Sequence, residues 1–148
     1  MQQKKVFDTE KQDYENFIQK TIKTQIENAF LKRGFEAVDI IREPQLLDDK
    51  RVDFHISYGF IGPILIEVKL STSKDLVGSQ KTLEGKPSYK SLGQYMKGYK
   101  AHFGIFLVFD NKKRTKRSEK WETRFEKIRN AYQLIDNVTV LGLKCIQV

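Results

Sequence analysis

Asp53, Glu67 and Lys69 are the residues whose types and spacing can do chemistry together. Glu67 and Lys69 flank Val68 in an otherwise apolar run, and side chains alternate across a strand, so the two charged groups share one face. Gly59-Phe60-Ile61-Gly62-Pro63 marks a turn between two strand-like segments, Val52–Tyr58 and Ile64–Leu70. A hairpin closed there sets Asp53 opposite Glu67 or Val68, and cross-strand partners lie about 4.5–5.5 Å apart at Cβ. Two carboxylates at that spacing repel. A hard divalent cation such as Mg²⁺ or Mn²⁺, which prefers oxygen ligands and keeps several waters, removes the conflict. With a lysine ammonium directed at the water or at a phosphate, the set suits cleavage of phosphodiester bonds. The alternative is a structural ion pair of Lys69 with Asp53 or Glu67. The apolar neighbours Ile64-Leu65-Ile66, Val68 and Leu70 weigh against unliganded polar residues, because ionised groups are rarely buried unless paired or liganded.

The elements that must position these residues can be read from periodicity. From Thr9 to Arg33 the residues Tyr14, Phe17, Ile18, Ile22, Ile26, Ala29 and Phe30 recur at three and four positions, which predicts a long helix with Thr9 as N-cap and Gly34 at its end. Phe35–Arg42 is a first strand; Val52–Tyr58 alternates as a second; Ile64–Leu70, nearly all apolar, is a third, covered on both faces. Residues 71–87 are polar, with two Gly and a Pro, and read as a long loop. Ser88–Lys100 predicts a helix, Phe103–Phe109 an apolar strand, Asp110–Lys120 a basic connection, Trp121–Ile135 a helix and Val138–Val148 a last strand. The order implies an α/β fold, a mixed central sheet with helices on both faces.

The 148 residues suit a single domain over 1–148, and a formal charge of +8 argues for a polyanionic partner, nucleic acid before an anionic membrane. No apolar stretch approaches the ~20 residues that span a bilayer. Met1-Gln2-Gln3-Lys4-Lys5 leads into charged sequence and is not expected to be a secretory signal, which makes a cytoplasmic protein the expectation. Cys145, the one cysteine, excludes an internal disulfide and a Cys-based zinc site. Lys112, Lys113, Arg114, Lys116 and Arg117 place five cations in six residues, able to neutralise phosphates, and Lys74, Lys81, Lys86, Lys90, Lys97 and Lys100 add charge on the loop and helix before them. None of this reads bases, and such runs are often only solvated loops. His55 and His102 have no visible nucleophile partner, Ser57 and Ser71 no visible base, and there is no Gly-rich phosphate loop.

Asp53, thirteen intervening residues, then Glu67-Val68-Lys69, after a long helix and a first strand, resembles the PD-(D/E)XK nuclease superfamily over about Tyr14 to Phe109. The proline that names the motif is absent, Val52 standing in its place. The resemblance implies an αβββαβ restriction-endonuclease-like core, here with an extra C-terminal helix and strand. It implies Asp53 and Glu67 as metal ligands with the Val68 carbonyl as a third, and Lys69 as the catalytic lysine. It also implies an acid on the first helix: Glu15 is favoured, bordering the stripe of Ile18, Ile22 and Ile26, with Glu27 as the alternative. Gln94 resembles a glutamine of the exonuclease-like members, although the tyrosine that follows it there at four residues stands here at five, as Tyr99. The activity implied is that of a Mg²⁺- or Mn²⁺-dependent deoxyribonuclease, endonuclease favoured over exonuclease. DNA is preferred over RNA, a homodimer or an additional targeting subunit is expected, and the setting is mobile-element biology or defence against foreign DNA. The competing expectation is a noncatalytic nucleic-acid-binding module on the same fold.

Overall fold

The computed structural model describes residues 2–34, 39–42, 53–58 and 61–144, with side chains from Asn16 onward apart from those of 39, 41, 42, 58, 61 and 62. Helix α1 runs Gln2–Lys32, starting before the expected cap at Thr9 because Gln2 to Phe7 holds no Gly or Pro to stop it. It ends as expected at Gly34, whose φ of +79° is a conformation that glycine adopts without a Cβ penalty. Strands β1 (Asp39–Arg42), β2 (Phe54–Tyr58) and β3 (Ile61–Leu70) form an antiparallel meander. Helix α3 (Pro87–Gly98) then carries the chain back, so that β4 (Phe103–Asp110) lies parallel to β3. Helix α4 (Trp121–Tyr132) does the same for β5 (Val138–Lys144). The result is one mixed five-stranded sheet in the order β1-β2-β3-β4-β5. The expected α/β architecture, αβββαβ with a further helix and strand, is the one observed. Residues 35–38, Val52, Gly59, Phe60 and 145–148, parts of predicted elements, lie outside the described residues.

Each face of the sheet has its own core. Ile18 and Ile22 of α1 press on Phe54, Ile56, Ile66, Leu70 and Leu107. On the other face, Leu65, Phe106, Val108, Val138 and Val140 meet α3, α4 and the segment between β3 and α3. Tyr132 stacks on Phe106 at a 4.0 Å centroid separation and shares a 2.6 Å hydrogen bond with Ser88, which ties α4 to α3. Helix α4 can lie close to β5 because position 142 is glycine: a Cβ there would sit 2.6 Å from the Phe125 ring.

Two expectations need correction. Residues 71–87 are not a plain loop: they contain a 3₁₀ turn, Lys74–Leu76, and a short helix α2, Gln80–Glu84. Ser73 and Ser79 cap their first N–H groups, and the buried Leu76 and Leu83 anchor them. On α1 the buried face is narrower than the apolar pattern suggests. Phe17 is 66% exposed, whereas Gln19 is only 7% exposed. Among the described residues, no helix is long and apolar enough to cross a membrane.

Candidate active site

Near the carboxyl end of β3, Ile18, Gln19, Asp53, Glu67, Val68, Lys69, Leu70 and Ser73 line a cavity of about 110 Å³. Asp53 stands one residue before β2, and the β2–β3 register, Phe54 opposite Ile66, carries it beside Glu67 and Val68. Its carboxylate is held from two sides. Val68 N–H donates to Oδ2 at 2.6 Å, and Gln19 Nε2 of α1 donates to Oδ1 at 2.8 Å. The hairpin geometry expected from the turn is therefore the geometry found, and Asp53, Glu67, Val68 and Lys69 share one cavity.

Lys69 Nζ lies 3.6 Å from Glu67 Oε1 and 3.6 Å from Asp75 Oδ2, charge pairs longer than hydrogen bonds. Burial alone would lower the pKa of this ammonium, but Glu67, Asp75 and Asp53 outweigh burial and hold it above the ordinary lysine value. Glu67 moves the other way. Burial, then repulsion from Asp53, pushes its carboxyl up to about 8, against a weaker pull from Lys69. Its Oε2 is buried and has no hydrogen-bond partner among the described residues, and the same holds for Gln19 Oε1. A cavity with an under-satisfied carboxylate, a second carboxylate and a buried amide oxygen fits a hard cation. Among the described residues, no three His, Cys, Asp or Glu residues gather at one point, so such an ion would be held by two carboxylates, neutral oxygens and water. Mg²⁺ is commonly bound in that way.

The other residues singled out by sequence fall in different places. The side chain of Glu15 lies outside the described residues. Glu27 is paired with Lys23 on the exposed side of α1 at 3.6 Å, away from the cavity. Among the described side chains of α1, Gln19 reaches Asp53. It is the one polar position between Ile18 and Ile22 on the buried face, and the pattern of isoleucines could have marked it. Asp75 was also missed, being lodged in what read as a loop. Gln94 does not join the cavity. Helix α3 leads straight into the start of β4, and β4 is parallel to β3, so moving along α3 moves away from the carboxyl end of β3. Gln94 and Lys97 instead line a groove with Tyr89, Lys90, Lys100 and His102. His55 meets the Tyr99 ring at 5.2 Å.

The basic run after β4 lies at the same end of the sheet as the cavity, because β3 and β4 are parallel and pinned there. Ser71 Oγ donates to Asp110 Oδ1 at 2.8 Å. Lys112, Lys113, Lys116 and Arg117 are exposed, but Arg114 turns inward. Its Nε and Nη2 donate to the two oxygens of Asp110 at 2.8 and 2.9 Å, its Nη1 to the Glu119 carbonyl at 2.6 Å, and its guanidinium lies 5.5 Å from the Trp121 ring centre. Burial alone would raise the Asp110 carboxyl, but these bonds and that of Ser71 hold it below the usual range. Arg114 thus belongs to the framework, a correction to its expected place among phosphate-binding cations. Arg114→Ala leaves the 2%-exposed Asp110 without its cation and is expected to cost about 3 kcal/mol in urea unfolding. Lys116→Ala and Arg117→Ala should each stay within about 0.5 kcal/mol. Equal costs at all three positions would refute this assignment.

The chain belongs to the family described as Domain of unknown function (DUF8371), whose model matches residues 3–113. That stretch runs from the start of α1 through β4, so it holds every residue of the cavity. No curated protein matches the sequence. Among solved structures it is similar to Pyrococcus furiosus SfsA in complex with Ca²⁺, at 18% identity and a TM-score of 0.45, over 87% of this chain and 58% of that one. The chain therefore spans little more than half the length of that protein.

Proposed function

We propose that this chain is a Mg²⁺- or Mn²⁺-dependent nuclease that hydrolyses DNA phosphodiester bonds, acting within a strand rather than only from an end. One observation carries the reading: Glu67 shares a cavity with Asp53, and its buried Oε2 has no hydrogen-bond partner among the described residues. Buried charge of this kind is costly in a purely structural role and useful as a cation site. Asp53 and Glu67 would hold the ion, with the Val68 carbonyl as a further oxygen. The chemistry that Mg²⁺ or Mn²⁺ supplies when bound is neutralisation of phosphate charge and acidification of a water.

The chain's own groups do the rest. Lys69, flanked by Glu67 and Asp75, stays an ammonium and stabilises charge growing on the phosphate; it is not a general base. Gln19 and the Val68 N–H fix Asp53, so the carboxylate need not reorganise when substrate arrives. The exposed Lys112, Lys113, Lys116 and Arg117, at the same end of the sheet, align the polyanion without reading its sequence. A role in defence against foreign DNA, or in mobile elements, accords with such sequence-blind alignment.

The test is a cleavage panel on end-labelled linear duplex, single-stranded and branched DNA, closed circular DNA and RNA, with Mg²⁺, Mn²⁺ or EDTA. Nicking of the circle with metal and none with EDTA is expected, and Lys69→Ala should slow it about 10²–10³-fold while DNA affinity is kept. Absence of cleavage on duplex, single-stranded, branched and RNA substrates alike would overturn the proposal. Retained DNA binding in that case would favour the noncatalytic module.

A further inference from the structure

We propose that Gln19 is a bifunctional member of the cation site: its amide N–H₂ orients Asp53, and its Oε1 supplies a neutral oxygen ligand. The inference rests on reading the Asp53–Glu67 cavity as a cation site. It begins with the direction of one amide. Gln19 is only 7% exposed, sits on the sheet-facing side of α1 and lines the cavity. Its nitrogen donates to Asp53 Oδ1 at 2.8 Å. Turning the amide over would set its oxygen against a carboxylate oxygen, acceptor against acceptor, so the orientation is fixed by chemistry. That orientation leaves Oε1 buried with no hydrogen-bond partner among the described residues.

Buried carbonyl oxygens are nearly always satisfied, by protein, water or an ion. Glu67 Oε2, of a residue lining the same cavity, is also buried with no hydrogen-bond partner among the described residues. A cation, or a water it carries, would satisfy both oxygens at once. The arrangement also has an electrostatic logic. Asp53 and Glu67 already repel each other, and an amide in this position adds an oxygen without adding a third negative charge. It also adds a donor, which a carboxylate lacks, to hold Asp53 before the ion arrives.

The experiment measures Mn²⁺ binding to the full chain by calorimetry and by loss of the free-ion electron paramagnetic resonance signal, with thermal melts to check folding. Gln19→Leu removes both functions in a similar volume and should weaken Mn²⁺ binding about 10–100-fold. Gln19→Glu keeps an oxygen and loses the donor, and should bind Mn²⁺ at least tenfold better than the leucine variant. Should the leucine chain fail to fold, Gln19→Met, unbranched and apolar, carries the same comparison. Binding by Gln19→Leu equal to that of the unaltered chain would overturn the inference. Equal weakening in the leucine and glutamate variants would overturn the ligand role. Failure of the unaltered chain to bind Mn²⁺ would instead sink the cation reading of the cavity itself.

Discussion

Asp53→Asn is expected to lose Mn²⁺ binding and DNA cleavage together, cleavage falling about 10³-fold or more. A ligand carboxylate's share in the several kcal/mol that metal catalysis supplies, about 4 kcal/mol, converts at about 1.4 kcal/mol per tenfold. The substitution is not silent structurally. Asp53 accepts from two donors on opposite sides, Val68 N–H and Gln19 Nε2, and an asparagine amide turns its own N–H₂ toward one of them. A second signature separates this effect from simple misfolding. Repulsion from Asp53 is part of what raises the Glu67 carboxyl, so its titration, followed by NMR in metal-free protein, should move below about 8. Cleavage within about tenfold of the unaltered rate would rule out Asp53 as a ligand.

Glu67→Gln should separate stability from function in opposite directions. Without a metal, burial and then repulsion from Asp53 push the Glu67 carboxyl from 4.5 up to about 8. Between those values the folded state binds more protons than the unfolded state, so stability falls as pH rises. This contribution is fully present below about 4.5 and is lost as pH passes through about 8. Glutamine has no proton to lose. Its variant should melt higher than the unaltered chain at pH 8–9, by about 2–4 °C for each kcal/mol relieved, and cleavage should drop about 10³-fold with the ligand. Divalent cation should restore the alkaline stability of the unaltered chain by mass action, about 2.7 kcal/mol at a hundred times the dissociation constant, and leave the variant unmoved. Melts that stay flat from pH 5 to 9 without metal, or equal Mn²⁺ stabilisation of both chains, would refute the assignment.

The strands and their pairing were legible because their signal is local. The alternation in Val52–Tyr58, the Gly and Pro of the turn, and the spacing of Glu67 and Lys69 together place Asp53 beside Glu67, and the register agrees. What escaped was set by tertiary geometry. Gln19 and Phe17 differ by two positions on a helix, and only the sheet beneath decides which is buried; here the polar residue won, because its amide had Asp53 to bond. Asp75 and the capped turns around it were hidden by a polar composition that reads as loop, although Ser73 and Ser79, each followed three residues later by a leucine or threonine, carried a faint signal. Gln94 illustrates the converse error: a motif position transferred from a resemblance met a helix whose direction carries it away from the cavity. Arg114 could not have been told from its neighbours by sequence, since its inward turn depends on the buried Asp110 four residues earlier.

That inward turn changes the entropy of any encounter with a polyanion. Arg114 nails the middle of the run to the sheet, and just beyond it Thr115 and Ser118 close a small turn through a 3.0 Å hydroxyl pair, with Lys116 and Arg117 at its tip. Toward a polyanion the segment therefore presents two short arms on a fixed post, not a slack chain. Ordering two short arms sacrifices less freedom than ordering the whole stretch, so more of the attraction between opposite charges survives as net affinity.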